Sequence, residues 1–357
     1  MATIVIHTQG TVVEARSQHL DILTPDGARR ELPLTSVDRV HCYGKVQVTT
    51  RAVHLLAEQG RDLVWFSRRG RLRARLSLNP AFGIELRRAQ YRLADNPARA
   101  LVAARKILEA KLHNQRAVLV RLWRERPELR DEALLERFDE LLLGLGKAEA
   151  PASLLGLEGT AARLYFTAWA APMVATFPWN GRNRRPPRDP LNVLLSFLYT
   201  LLTNEAHAQI EALGLDPWLG VLHGIRPGRP ALALDLIEPL RPLIVDRLII
   251  DLVVHRRIRP EHFTYDTPLP PRVGAPTDED DEAPPPGEAT DGSPLPRLTS
   301  EGFRALLTAY EKRMQHRDGE AEHPGGMRQL LHDQVVACAT ALREDRMDDW
   351  QPVRLRT

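Results

Sequence analysis

His223 stands alone after a short apolar run, and Asp235 and Glu238 follow twelve and fifteen residues later. Between them lies a Gly/Pro/Arg loop, Gly224 to Pro230. A loop of that composition cannot continue a helix and must reverse the chain, so it can return His223 over the two carboxylates. An imidazole with carboxylates on a stiff support is a donor set for a divalent cation. The Asp-x-x-Glu pair has a second reading of equal standing. Asp235 can cap a helix while Glu238 reaches back to it, as in a capping box, or Glu238 can simply precede Pro239 at the first helical position. A histidine taken alone is more often a hydrogen-bonded core residue than a ligand. Glu158, in LLGLEGTAARLYF, adds a further carboxylate; taken alone it reads as a first-turn glutamate favoured by the helix dipole.

Charge is unevenly distributed along a chain whose net charge is only +3. Arg61 to Arg75 holds six arginines against one acid, Arg69, Arg71 and Arg73 among them. A second cluster contributes Arg182, Arg184, Arg185 and Arg188 with no acid between. Guanidinium groups in clusters suit bidentate contact with phosphates, and Phe177 and Trp179 beside the second cluster could stack on bases or pack inward. Opposing them is the acidic run Asp278 to Glu282.

The elements that must position these groups fall into blocks. Residues 1–80 read as β-rich, with short apolar runs at Ile4–Ile6, Val12–Val13, Leu20–Leu23 and Leu32–Leu34, and a turn at Pro25-Asp26-Gly27. Thr49 can cap a helix from Thr50 to Gln59 that Gly60 ends; Leu63–Phe66 follows as a buried strand and Leu72–Leu76 as an edge strand. Residues 81–265 change to a helical period: Ile84–Asp95, Pro97–Arg124, Leu129–Leu143 (ended by Gly144 and Gly146), Ser153–Ala171, Pro190–Leu213 and Pro239–Arg256. Residues 266–298, Pro-rich and acidic, read as a flexible linker, and 299–357 return to helix, Thr299–Gln315 and Met327–Arg343, to complete the helical domain. The expected fold is α+β, with an N-terminal β-sandwich-like domain and a larger all-α catalytic domain.

At 357 residues, 43% hydrophobic and 27% charged, the chain has the composition of a soluble globular protein. The start MATIVIHTQG has no signal-peptide layout, the most apolar stretches are broken by Asn192, Asp246, Arg247 and Asp251, and no membrane span is expected. Two distant cysteines, Cys42 and Cys338, exclude a cysteine-built zinc site and suggest a reducing, cytoplasmic setting. No His-Glu-x-x-His, phosphate-binding glycine loop, Gly-x-Ser-x-Gly or Cys-x-x-Cys motif occurs.

Four stretches taken together resemble the CRISPR-associated integrase family of spacer acquisition. They are LLGLEGTAARLYF (154–166), FPWNGRNRRPPRDPLNVLLSFLYTLL (177–202), GLDPWLGVLHGIRPGRPALALDLIEPLRPLIVD (214–246), and the tail pair LTSEGFRALLTAYEKRM and MRQLLHDQVVACATALR. The stretch YGKVQVTTRAVHLLAEQG (43–60) is also similar. The resemblance implies a catalytic, metal-binding set at Glu158, His223 and Glu238, with Asp235 as a supporting acid. It implies that Asn192, Ser196 and Tyr199 line the site from one helix, with Arg241 orienting the carboxylates or meeting a phosphate. Mg²⁺ or Mn²⁺ is the implied cofactor. Double-stranded DNA (a prespacer and the CRISPR repeat), a homodimer through the N-terminal domains and a small partner, "Cas two", in a heterohexamer-type complex are the implied partners. The implied reaction joins a prespacer 3′-hydroxyl to a repeat phosphodiester by transesterification. The segment 266–298 departs from the family pattern. Two rival readings make different expectations: a non-catalytic DNA-binding scaffold indifferent to Glu158, and a phosphohydrolase of a small substrate indifferent to Arg182, Arg184 and Arg185.

Overall fold

The computed structural model describes residues 2–68, 70, 72–76, 83–183, 186–266, 294–315 and 325–355. They form two compact units that divide the chain between residues 81 and 82.

In the first unit, two four-stranded sheets enclose one apolar core. The strands of one sheet run β1 (Ala2–Ile6), β5 (Val37–Tyr43), β7 (Asp62–Phe66), β8 (Leu72–Arg75); the other runs β4 (Arg29–Pro33), β3 (His19–Leu23), β2 (Val12–Arg16), β6 (Gln47–Val48). Side chains alternate inward on β2, where Val13 and Ala15 are buried, as a half-solvated strand requires. They meet Leu20, Val40, Cys42 and Leu63, with Leu55 and Leu56 of helix α1 (Thr50–Glu58) closing the core. Thr49 caps α1 through its side chain to Ala52 N–H at 3.4 Å, and Gly60 at φ +62° follows its end, as the sequence suggests. The sequence reading contains no strand at 37–43, yet β5 is paired in parallel with both β1 and β7. Asp38, Arg39 and His41 interrupt its apolar pattern and hide it. On the edge strand β8 the expected alternation is also broken, since Phe66 pairs with Leu72 and Trp65 with Ala74, leaving a bulge at Arg73. Ala74 is then exposed and Arg75 folds back onto Asp62 at 3.0 Å.

The second unit is helical. The helices are α2 (Ile84–Ala94), α3 (Pro97–Glu125), α4 (Glu132–Lys147), α5 (Pro151–Ala170), α6 (Pro190–Ala212), α7 (Ala231–Ile237), α8 (Arg247–Val254), α9 (Ser300–Gln315) and α10 (Gly326–Arg343). The long α3 is its axis, packed against α2, α4, α5 and α7. Asn96, Asp131 and Asp189 each accept a first-turn N–H to start α3, α4 and α6. Two expectations need correction. Gly144 and Gly146 lie inside α4 and do not end it; Leu141 and Leu145 are buried around them and hold the helix together. The single helix expected over 239–256 is divided: a separate short helix, α7, ends at Ile237, a turn follows at 238–240, and a π-helical turn at Pro242–Asp246 precedes α8. Pro242 has no N–H to give to the carbonyl four residues back, which accounts for the widening.

The unit is not wholly α. Strands β9 (Phe263–Asp266) and β10 (Leu295–Leu298) pair as an antiparallel ribbon, so the ends of the 266–298 segment are strand, and residues 267–293 lie outside the described residues. Cys42 and Cys338 are buried and unbridged, and burial pushes both thiols up to about 12. Among the described residues no helix is long and apolar enough to cross a membrane.

Candidate active site

The loop that reverses the chain at 213–230 brings His223 onto the helix that follows it. Asp235, in the middle of α7, is fully buried and accepts the backbone N–H groups of Val221 (2.7 Å), Leu222 (2.9 Å) and His223 (3.0 Å). The same carboxylate takes His223 Nδ1 at 2.7 Å. Asp235 therefore caps the preceding loop rather than its own helix, whose N-cap is Pro230 with no side-chain cap bond, and the capping-box reading fails. An acceptor-only carboxylate at Nδ1 holds a ring proton on that nitrogen. Nε2 faces Glu238 Oε1 at 3.7 Å.

Glu238 ends α7 and is almost fully buried. Its Oε1 takes Arg241 at 3.0 Å, and its Oε2 lies 2.8 Å from Lys111 Nζ without hydrogen-bond alignment, so that contact is Coulombic. Lys111 in turn donates to Glu158 Oε1 at 2.5 Å. Burial alone would raise the Glu238 carboxyl, but Arg241, Lys111 and His223 outweigh it and hold it well below the usual carboxylate range. Burial likewise works against the Lys111 ammonium, and the Glu238 and Glu158 carboxylates outweigh it and keep its pKa raised. Glu158 sits two turns inside α5, not in its first turn. Gly156 and Gly159 beside it are exposed, and a Cβ on either would meet nothing within 4 Å among the described residues. That leaves the Glu158 side of the centre open.

The helix α6 supports the centre from behind. Tyr199 packs its ring against the Arg241 guanidinium, 4.7 Å from the centroid, and donates to Asp246 Oδ1 at 2.5 Å. Tyr165 of α5 donates to the other oxygen of Asp246 at 2.9 Å. Burial raises the Asp246 carboxyl to about 6, against the two tyrosine hydroxyls that lower it. Asn192 and Ser196 do not reach the carboxylates. Asn192 is fully buried, donates to Gly181 O at 2.9 Å and accepts from Arg182 at 2.5 Å, and Ser196 lies 3.5 Å from the same guanidinium.

Of the arginines singled out in sequence, Arg69, Arg71, Arg184 and Arg185 lie outside the described residues. Arg73 is exposed at the bulge of β8, and Arg188 is exposed on the loop before α6. Arg182 is partly buried and held by Asn192. Phe177 is buried against Phe263 and Trp179 packs on Phe166 and Trp169, so both aromatics turn inward. Lys111 and Asp246 escape the sequence reading. Lys111 does carry a signal, because it falls with Ile107, Leu108 and Gln115 on the buried stripe of α3. Asn114 shares that stripe and donates to Pro239 O at 2.7 Å, fixing the turn after Glu238.

Two carboxylates and an imidazole nitrogen are donors that fit a divalent cation, and an imidazole backed by a carboxylate is the usual support of a metal-binding histidine. As it stands, no group of three or more His, Cys, Asp or Glu among the described residues is close enough to hold an ion. The Lys111 ammonium lies between Glu158 and Glu238 instead.

Set beside proteins of known function, this β unit and the helical unit that carries the acid–imidazole centre fall among the enzymes of CRISPR adaptation. The chain belongs to the CRISPR-associated Cas1 family: the family model for CRISPR associated protein Cas1 matches residues 4–269. A CRISPR-associated endonuclease Cas1 of Rhodospirillum rubrum is 34% identical, over 90% of this chain and 88% of that protein. One from Chlorobaculum tepidum is 32% identical over 96% of this chain and 95% of its own length. Among solved structures, a Cas1 protein from Thermotoga maritima superposes with a TM-score of 0.75 at 22% identity, covering 96% of this chain and 97% of its own. A casposase bound to integration product gives 0.78 at 20% identity, covering 100% of this chain and 96% of its own. At these identities the two structures speak for the fold alone.

Proposed function

We propose that the chain joins prespacer 3′-hydroxyl ends to the phosphodiester of a CRISPR repeat, and cleaves DNA when the reaction runs backwards or water replaces the hydroxyl. The observation that carries this reading is the Asp235–His223–Glu238 arrangement, a carboxylate-backed imidazole whose Nε2 faces a second carboxylate. Glu158, His223 and Glu238 would hold Mg²⁺ or Mn²⁺. When bound, that cation supplies positive charge to the pentavalent phosphate and lowers the pKa of an attacking hydroxyl. Asp235 holds the His223 tautomer. Arg241 fixes Glu238 from the opposite side, and Tyr199 holds Arg241 by its ring face. Lys111 keeps the two glutamates together with an ammonium that the divalent cation must compete with. DNA is drawn in by exposed arginines, Arg73 and Arg188 among the described ones, with Arg69, Arg71, Arg184 and Arg185 as further candidates, so affinity falls with salt. Two solved structures of similar fold are Cas6-RT-Cas1–Cas2 complexes; we take a Cas2-type protein as partner, with this chain acting as a homodimer in a heterohexamer-type assembly.

Half-site joining of a labelled duplex to a repeat-bearing plasmid tests the reading. Purified protein and partner are compared with and without Mn²⁺. Joining should require the metal and be lost in Glu158→Ala, His223→Ala and Glu238→Ala. Joining that persists in chelator or in Glu158→Ala overturns the metal centre.

A further inference from the structure

Two buried side-chain amides hold the backbone on either side of Glu238. Asn114 of α3 is fully buried and Gln334 of α10 almost so. Asn114 donates to the carbonyl of Pro239, the residue after Glu238, at 2.7 Å. Gln334 donates to the carbonyl of Leu236, two residues before it, at 3.4 Å. That carbonyl has lost its ordinary helical donor, because the N–H of Leu240 turns to Ile237 O at 2.9 Å where α7 ends. A carboxamide is costly to bury unless both its ends are bonded, and the other ends of these two go to one place. Gln334 Oε1 accepts the N–H of Val353 at 2.9 Å. Asn114 also donates to Val353 O at 3.0 Å, and its Oδ1 accepts the N–H of Leu355 at 2.8 Å. These bonds fix which way each amide points, since each oxygen faces an N–H and each nitrogen faces carbonyls.

The segment that supplies these groups is strapped along α3. Lys106 donates to Trp350 O at 3.0 Å, Arg354 donates to Glu109 at 3.0 Å, and His113 Nε2 meets Leu355 O at 2.9 Å. Lys106, Glu109 and His113 recur at three- and four-residue spacing, so one face of α3 carries the strap. Lys111, which pairs with Glu238 itself, stands about one turn before Asn114 on the same helix. We propose that residues 353–355 are a positioning element of the reacting centre. Through Asn114 and Gln334 they clamp the carbonyls before and after Glu238 and so set where its carboxylate points. The strap touches neither substrate nor cation, and its effect falls on the rate at saturating DNA rather than on DNA affinity. The proposal rests on the DNA-joining reading only for the use made of Glu238.

Amide hydrogen exchange, Mn²⁺ calorimetry and single-turnover joining on the full chain test it. Val353→Pro/Leu355→Pro removes the two N–H groups that Gln334 and Asn114 accept, whereas Val353→Ala/Leu355→Ala retains both. In the proline pair, exchange across 236–246 should quicken. Mn²⁺ affinity and the joining rate at saturating DNA should each fall about 10–100-fold, as when the support of a reacting group is loosened. Duplex affinity in EDTA should keep its wild-type value, and the alanine pair should recover the joining rate. Unchanged exchange across 236–246 in the proline pair overturns the coupling. A rate lost equally in the alanine pair overturns it too, because side-chain packing then carries the effect. A loss confined to duplex affinity overturns the positioning role. Should the proline pair not fold, Leu355→Pro alone must quicken the same exchange, and no change there overturns the proposal equally. If the wild type neither binds Mn²⁺ nor joins DNA, the DNA-joining reading falls, while exchange across 236–246 still decides whether the strap holds the backbone around Glu238.

Discussion

The imidazole of His223 is held by a buried carboxylate, Asp235 Oδ1 at 2.7 Å, that also gathers three consecutive backbone N–H groups of the histidine's own loop. One side chain thus sets both the loop path and the tautomer. Asp235→Asn replaces an acceptor with an amide donor aimed at other donors, leaving buried N–H groups without partners at about 1–3 kcal/mol. The expected outcome is a lower melting temperature together with Mn²⁺ affinity reduced about 10–100-fold, the usual effect of losing a carboxylate behind a metal-binding histidine. Calorimetric titration reads the second effect. Equal Mn²⁺ affinity in a folded Asp235→Asn protein would disprove the orienting role. Gly220→Ala should act the same way, since its Cβ would press on the Asp235 carboxylate and on the Ala231 carbonyl carbon at 2.9 Å.

Lys111 makes the second prediction. In the wild type its ammonium satisfies Glu158 and Glu238, so a divalent cation must displace or share that contact. Lys111→Met leaves the buried Glu238 carboxylate and the partly exposed Glu158 carboxylate without their shared ammonium, and breaking a buried pair such as Lys111–Glu238 costs about 3–5 kcal/mol. Without metal, the variant should melt well below the wild type. With saturating Mn²⁺ it should recover more than the wild type gains, because the ion then replaces a missing charge. A Mn²⁺-induced shift in melting temperature no larger than that of the wild type would show that the ion does not bind between these glutamates.

The sequence allows much of this to be read because the β unit and most helices announce themselves by period, and helix α1 also by its cap, Thr49. The strand Val37–Tyr43 is lost because its polar residues hide an inner strand, and α4 runs past Gly144 because packing overrides propensity. At the site, His223 and the two acids stand within one stretch of chain, so spacing draws attention to them, while the choice among their possible roles comes from the family resemblance. Lys111 and Asp246 act through contacts between helices distant in sequence. A lysine on an apolar stripe gives a hint only once that stripe is known to be buried, and the ion pair itself has no local signature.

Asp246 carries a pH prediction. Burial raises its carboxyl from 3.8 to about 6, so between these values the folded chain holds a proton that the unfolded chain has released. Its contribution is therefore full below about 3.8 and is lost as pH rises through 6, a difference of about 3 kcal/mol. Asp246→Asn removes the titration. The urea stability of wild type minus variant should thus decline from pH 4 to pH 7, even though the amide forms poorer bonds with Tyr165 and Tyr199. A difference independent of pH would locate the charge elsewhere.

The arginine cluster before α6 divides into two roles. Arg182 is tied to Asn192 Oδ1 at 2.5 Å and to the carbonyl of Asn183 at 2.6 Å, with its guanidinium near the Tyr199 ring. Arg188 is exposed, and its backbone N–H donates to Asn183 Oδ1 at 2.7 Å. Truncation should therefore separate stability from affinity. Arg182→Ala removes charge-assisted bonds worth about 1.5–3 kcal/mol each and should lower the melting temperature. Arg188→Ala should reduce the salt slope of DNA binding by up to about 0.9, the share of one phosphate. Melting curves and anisotropy titrations on the two variants check this directly. If Arg188→Ala leaves the salt slope unchanged, or if Arg182→Ala changes only the salt slope, the division is wrong.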